Sequence, residues 1–237
     1  MKKLYQITSA LLMVVLFMAC TKKEVATDTK LSYSFSASNL NASLSSNASA
    51  SASGAVVAAG TNGSINWTTA SVNVAKIEFS ATKSGSGAIS LETKNLYLVN
   101  ALKPDSLSGT VSLASGVYEN NQFNLTLASS LTNPPLLLTG TYIEASGTKI
   151  PVRFEMNQAQ VVKLEAKRVE VTAGTYVAKV TVQLNALVTG LTASDFGQTT
   201  RTGTNNMIII SSTINRALYE KLVARFTSTL SVDFSKQ

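Results

Sequence analysis

Alternation of apolar and polar residues with a period of two restricts the fold of this chain more than any other feature. It is clearest at residues 123–127 and 162–166, where every second side chain is apolar. Successive side chains of a β-strand point to opposite faces, so this spacing is typical of strands that bury one face. Similar short runs recur between turns rich in Gly, Ser, Asn and Pro. The pattern predicts a mainly β protein, an antiparallel β-sandwich of about ten strands.

The period changes near the C-terminus, where one amphipathic helix is predicted at about 212–228. Ser212 or Thr213 is a suitable N-cap for it. We expect the helix to pack against the sheets and to close one end of the core. Its apolar stripe consists of Ile214, Leu218, Leu222 and Phe226.

Two local signals refine the strand pattern. The alternating apolar residues are even-numbered at 72–74 and odd-numbered from Ile77, which predicts a β-bulge near Ala75.

The tripeptide Gly-x-Tyr occurs directly before an alternating strand at residues 116–118 and again at 174–176. Glycine permits the positive φ of a tight turn, and a tyrosine hydroxyl can cap backbone groups. The recurrence fits either ordinary turn chemistry in two hairpins or an internal duplication.

The first twenty residues predict where the protein is sent. Lys2 and Lys3 form a basic n-region, residues 7–17 are apolar, and a small residue precedes Cys20, the only cysteine. This arrangement is typical of a lipoprotein signal peptide, residues 1–19, whose removal leaves Cys20 to carry the acyl chains. The apolar run is shorter than the ~20 residues that cross a bilayer as a helix. The alternatives are an ordinary signal peptide with an incidental cysteine, or a short membrane anchor.

The remainder of the chain divides into three segments. Residues 20–30 form the lipid anchor and a polar tether. Residues 31–63 are rich in Ser, Asn and Ala, and we expect an edge strand followed by a loop. Residues 64–237 form one β-sandwich domain that ends with the helix, because no linker-like break divides them.

Composition removes several kinds of chemistry. The chain has no histidine, and its single cysteine is assigned to lipidation. We therefore expect no histidine acid–base catalysis, thiol catalysis, disulfide or zinc site, and we expect no cofactor.

The net charge of +7 is dispersed, since Lys163, Lys167 and Arg168 are interleaved with Glu165 and Glu170. Nucleic acid is thus not an expected partner.

The sequence gives only weak signals for the catalytic chemistries that do not need histidine or cysteine, namely Ser-Lys catalysis and carboxylate pairs. Ser84 and Ser86 are close to Lys83 but lie in a predicted turn, and no Ser-x-x-Lys motif begins a helix. Glu78 and Glu92 are expected to face each other across a hairpin. Exposed strand glutamates are usually solvated, however, and a glycosidase needs both carboxylates in a cleft. We therefore predict that the protein is not an enzyme, with a carboxylate-based hydrolase as the alternative.

Several stretches carry a resemblance to a known family. They are SINWT at 64–68, VAKIEF at 74–79, LASGVY at 113–118, LLLTGTY at 136–142, GLTA at 190–193 and IIISS at 208–212. Together they resemble uncharacterised lipoproteins of Bacteroidetes, a group with a domain of unknown function and a prealbumin-like β-sandwich. The likeness covers most of residues 64–226 and its motifs are structural, so it implies a fold but no catalytic residue. It also implies lipid anchoring at the outer membrane.

The resemblance bears on location and modification as well. Residues 21–24 lack the acidic stretch that often marks export to the surface in that group, so both the periplasmic face and the cell surface stay open. Asp105-Ser106-Leu107 is similar to the O-glycosylation sequon of that phylum, which makes Ser106 a candidate site. A plain β-turn is the alternative.

Two non-catalytic functions are consistent with these features. The first is a module that binds an unknown ligand, either a glycan or an envelope protein, while the lipid attaches it to the membrane. Candidate stacking platforms for sugars are Trp67, Tyr118, Tyr142 and Tyr176. A tryptophan on an alternating strand is more often a core residue. The second function is a purely structural lipoprotein of the envelope or surface coat.

Overall fold

The computed structural model describes residues 29–45, 62–94, 98–103, 107–130 and 132–237. Strands hold 59% of these residues and helical segments 12%, so the prediction of a mainly β protein is confirmed. Cys20 with the signal peptide, and Ser106 of the sequon, lie outside the described residues.

The described residues form fifteen strands and three helices. The strands are β1 Lys30–Ser38, β2 Asn41–Ser43, β3 Ser64–Lys83, β4 Gly87–Lys94, β5 Leu98–Asn100, β6 Leu107–Ser112, β7 Gly116–Leu127, β8 Leu136–Ile143, β9 Lys149–Met156, β10 Gln160–Ala166, β11 Val169–Val171, β12 Thr175–Gln183, β13 Arg201–Thr202, β14 Met207–Ile210 and β15 Leu230–Lys236. The helices are α1 Leu184–Leu187, α2 Ala193–Gly197 and α3 Arg216–Phe226, the last followed by a 3-10 turn at Thr227–Thr229.

Strand β3 is the longest element and organises the larger of two sheets. On one side it pairs with β8 and β7; Asn73 donates its N–H to Pro135 and accepts from Ala128, which places these two strands end to end. On the other side it pairs with β2, β5 and β4. The register with β7 shifts between Val74 and Lys76, so the predicted bulge is confirmed. The strand order is β10-β7-β3-β8-β9-β14-β13.

The second sheet has the order β15-β12-β1-β6. The expectation that β1 is an edge strand is wrong, because β1 lies inside the sheet between β12 and β6. Its polar face is buried as well as its apolar one, since Ser32, Ser34 and Ser36 are at most 8% exposed. Two hydroxyl pairs, Ser32 with Thr110 and Ser36 with Thr181, link β1 to β6 and β12.

Two parallel pairs depart from a purely antiparallel design. They are β1 with β12 and β9 with β14. The apolar side chains of β1 join the same hydrophobic core as those of the later strands, so the folded domain extends upstream of the predicted boundary at residue 64. Alternation reports which face of a strand is buried but not which strand lies beside it. This is why the pairing differs from the expectation.

Aromatic side chains pack between the two sheets. Tyr33 and Phe234 project from the smaller sheet, and Phe79 and Phe123 project from the larger one. The ring centroids lie 6.5 Å apart for Tyr33 and Phe123, and 5.6 Å apart for Phe79 and Phe234, both in edge-to-face contact. Such pairs contribute about 0.5–1.5 kcal/mol beyond the area they bury. The cluster is therefore a principal contact between the sheets.

The helices cover the half of the larger sheet that the smaller sheet leaves free. Helix α3 packs against β9 and β14, and α1 packs beside β2. Thr192 and Asp195 form a capping box at the start of α2. Burial alone would raise the pKa of Asp195, but hydrogen bonds from Lys221, at 2.5 Å, and from Thr192 outweigh it and hold that pKa below its ordinary value. This carboxylate thus joins α2 to α3.

Helix α3 begins at Arg216, later than the predicted start at 212. Asn215 precedes it in the left-handed conformation with φ 54°, and its side chain bonds to the backbone of Thr200 and Ile209 instead of capping the helix. Ile214 consequently lies outside the helix. The predicted C-terminal helix is confirmed, and its buried residues are Leu218, Tyr219, Leu222 and Phe226.

Both Gly-x-Tyr turns are built in the same way. The Tyr118 hydroxyl donates to the Ala114 carbonyl at 2.6 Å, and the Tyr176 hydroxyl donates to the Glu170 carbonyl at 3.0 Å. The expectation that these hydroxyls cap backbone groups is confirmed. Gly116 and Gly174 have φ values of 148° and 136°. Each glycine also has a lysine side chain lying close over it, namely Lys83 and Lys236 respectively.

Two Tyr→Phe substitutions are expected to differ in their effect on stability, because only one of the two hydroxyls has a hydrogen-bond partner in the part of the chain that the structure describes. Tyr118→Phe removes a hydroxyl that bonds to backbone, so we expect a loss of about 1 kcal/mol. Tyr219 is also buried, but its hydroxyl has no partner among the described residues, so Tyr219→Phe should be neutral or stabilising by up to about 1 kcal/mol. Urea unfolding midpoints measure both changes. Equal losses in the two variants would contradict the prediction.

Candidate functional site

The ladder of hydrogen bonds along β7 is interrupted at one point. β10 pairs with β7 as far as Ala166 opposite Asn121, and β11 resumes the pairing with Val169 opposite Tyr118. Residues 119–120 and 167–168 lie between these points. On the other side of β7, the register with β3 shifts between Ser80 and Thr82. The strand therefore bulges at this point, and bulges are frequent beside binding sites.

Two adjacent asparagines produce the interruption. Asn120 has φ 52°, a left-handed conformation that asparagine tolerates better than most residues. The side chain of Asn121 is 1% exposed, and its amide donates to the carbonyls of Lys167, at 2.7 Å, and Tyr118, at 3.3 Å. A side-chain amide thus satisfies a strand carbonyl across the gap, and the gap keeps its shape without backbone pairing.

A groove with a volume of about 580 Å³ lies over the interruption, on the outer face of the larger sheet. Ser80, Gln122 and Glu165 are aligned in register across three strands and face it. Phe79, Phe123 and Leu164, their neighbours on the same strands, face the core. Among the described residues, the groove is lined by Ser80, Glu119, Asn120, Asn121, Gln122, Glu165, Ala166 and Arg168. Ligand pockets typically measure about 300–1,000 Å³, so the groove has the size of a small-molecule site.

The charged side chains of the groove largely compensate each other. Arg168 Nε lies 3.2 Å from Glu119 Oε1, and both side chains are more than half exposed, so this ion pair contributes little to stability. Glu165 has no ion pair within the described part of the chain. It lies two residues from Lys163 and two from Lys167 along the chain. The groove therefore offers many hydrogen-bonding groups and little net charge.

The carboxylate pair considered for hydrolysis is held by lysines. Glu78 and Glu92 do face each other in register, as expected. Lys76 Nζ lies 2.8 Å from Glu78 and 3.4 Å from Glu92, and Lys94 Nζ lies 2.7 Å from Glu92. The hydrogen bond from Lys94, followed by that from Lys76, holds the pKa of Glu92 below its ordinary value. A general acid requires a raised pKa instead, so Glu92 is not suited to that role.

The four aromatic residues considered as sugar platforms are buried. Trp67, Tyr118, Tyr142 and Tyr176 have only 1–2% of their surface exposed. Tyr142 stacks on Phe196 of α2 with ring centroids 4.7 Å apart. A ring must expose one face to stack on a sugar, so these four residues are core residues rather than stacking surfaces.

Sequence reasoning did not identify the groove. The one signal in the sequence is the Asn-Asn pair at residues 120–121, which places two turn-forming residues inside an alternating strand. The partners of this pair come from strands about 40 residues away on either side, and spacing alone does not reveal them.

Within the described residues there is no cluster of three or more metal-binding acidic, cysteine or histidine side chains. None of the described helices is long and apolar enough to span a membrane.

Comparison with known proteins identified no relative of this chain. No protein-family model matches the chain, and neither a curated protein nor a solved structure matches it.

Proposed function

We propose that this protein is a lipoprotein, anchored by Cys20 to the outer membrane, whose folded domain is a non-catalytic binding module. The observation that carries the proposal is the polar groove at the bulge of β7. It is large enough for a ligand, it is lined by amide, carboxylate, hydroxyl and guanidinium groups, and a buried asparagine maintains it. The ligand is a glycan or an envelope protein at either face of the outer membrane.

The finer description of the fold belongs to the same proposal. The smaller sheet packs on the β10-β7-β3-β4 part of the larger one through the aromatic cluster, which supports a β-sandwich closed by helices at one end. The resemblance to Bacteroidetes lipoproteins supports the envelope location. A two-layer domain joined to a lipid anchor by a polar tether suits a module that presents a surface to ligands in the envelope.

A structural coat protein is the competing function, and site-specific crosslinking separates the two. A photo-crosslinking amino acid is introduced at Gln122 in the groove, or at Lys179, an exposed control position on the outer face of the smaller sheet. The full chain is expressed in cells and irradiated. We expect adducts at Gln122 that are absent at Lys179. Equal adducts at both positions, contacts only with other copies of the chain, or no adducts would contradict a binding function of the groove.

A further inference from the structure

We infer that the groove binds an uncharged, hydroxyl-rich carbohydrate, an inference that rests on the proposed binding function. A sugar hydroxyl both donates and accepts hydrogen bonds, and it needs partners of both kinds close together. The groove supplies them in one row, where Ser80, Gln122 and Glu165 stand side by side in register. Glu165 accepts only, whereas the amide of Gln122 and the hydroxyl of Ser80 donate and accept.

The lining disfavours peptide and lipid ligands. Among the described residues that line the groove, Ala166 is the only apolar one. Peptides and proteins bind mainly through aromatic or aliphatic anchors in desolvated pockets, and acyl chains need continuous apolar surface. The groove has neither. An extended peptide could pair with β10, the terminal strand of the larger sheet, but such backbone pairing would not use Ser80 and Gln122, which project from the face of the sheet.

The charges of the groove disfavour charged ligands. Arg168 Nε lies 3.2 Å from Glu119 Oε1, so a phosphate or carboxylate that binds Arg168 would also meet the negative charge of Glu119. Glu165 would repel an anion, while Lys163 and Lys167 on either side of it along the chain offset its attraction for a cation. A neutral ligand meets none of these penalties, because it exchanges hydrogen bonds with water for hydrogen bonds with the groove.

A glycan array tests this inference on the detergent-solubilised full chain. The array presents neutral hexose and N-acetylhexosamine oligosaccharides beside matched oligosaccharides that contain uronic acid. We expect retention of neutral glycans only, with affinity that changes less than about twofold between low and high salt, since a neutral ligand releases no counterions. Preferential retention of acidic glycans, or a steep salt dependence, would overturn the inference.

Two variants connect the binding to the groove. Gln122→Ala should weaken binding of a retained neutral glycan about tenfold, the effect of losing one or two hydrogen bonds. Lys179→Ala, on the other sheet, should leave binding unchanged, and both variants should keep the wild-type unfolding midpoint. An affinity for Gln122→Ala equal to that of the wild type would place the sugar elsewhere.

The glycan array and the crosslinking experiment together distinguish an error in the carbohydrate inference from an error in the proposed binding function. If the groove forms specific adducts with a protein while the array retains no neutral glycan, the binding function stands and the carbohydrate inference is wrong. If neither experiment detects a groove-specific ligand, both are wrong.

Discussion

Replacing Cys20 by serine is expected to release the protein from the membrane fraction almost completely. Each buried CH₂ of an acyl chain contributes about 0.8 kcal/mol, so one chain binds reversibly while two or three hold a protein on a bilayer in effect permanently. Serine offers no thiol to form the thioether that joins the diacylglyceryl group to the chain, so the whole attachment depends on one sulfur atom. Thr21→Ser is the matched control, because it changes the next residue and leaves the thiol in place.

Membrane fractionation and intact-mass spectrometry measure the outcome together. The wild type and Thr21→Ser should sediment with membranes and carry the added mass of the acyl chains. Cys20→Ser should lack this mass. If Cys20→Ser stayed in the membrane fraction with its leader still attached, the short-anchor interpretation would be favoured. A wild-type chain without the mass of the acyl chains would contradict lipidation directly.

Gly140→Ala is expected to destabilise the fold by about 3 kcal/mol, at the upper end of the range for overpacked cores. Gly140 of β8 lies opposite Trp67 of β3, where the register between the two strands shifts. A Cβ atom at this position would lie 2.3 Å from the Asn66 carbonyl oxygen and 2.9 Å from Trp67 Cα. Both neighbours are backbone atoms of the central strand, so no side-chain rotation relieves the contact. The strands must move apart instead.

Gly197→Ala is the matched control for this substitution. Gly197 ends α2, and a Cβ atom there meets nothing within 4 Å. Alanine is also the better helix former by about 1 kcal/mol, so this variant should be neutral or slightly stabilising. Urea or guanidinium unfolding of both variants gives the comparison. Surface substitutions usually change the free energy of unfolding by less than about 0.5 kcal/mol. A change this small for Gly140→Ala would show that β3 and β8 do not approach as closely as described.

Burial along the strands was largely predictable because it is a local property. Phe123, Leu125 and Leu127 alternate in the sequence, and all three are fully buried in the structure. Pairing was less predictable, and β1 shows why. Its serines indicated an edge, yet its neighbour β12 lies about 145 residues further along the chain and covers it. Nothing local to β1 specifies that partner.

The ends of elements and the groove depended on contacts between distant residues. Helix α3 begins later than expected because Asn215 bonds to Thr200, 15 residues earlier in the chain, and to Ile209, six residues earlier. β15 was not predicted, since only Val232 and Phe234 alternate within it and a run of two is too short to recognise. The groove likewise depends on Asn121 reaching Lys167 across a strand boundary.

By itself, the sequence determined that the chain is rich in β-strands, where one strand bulges, how two tyrosine turns are capped, and which catalytic groups are missing. These properties depend on residue type and on spacings of a few residues. Only the tertiary structure decided that the aromatic candidates are core residues, that the opposed glutamates are held by Lys76, and that two strands separate to form a polar groove. Each of these depends on which strands lie side by side, and strand order follows from packing of the whole core.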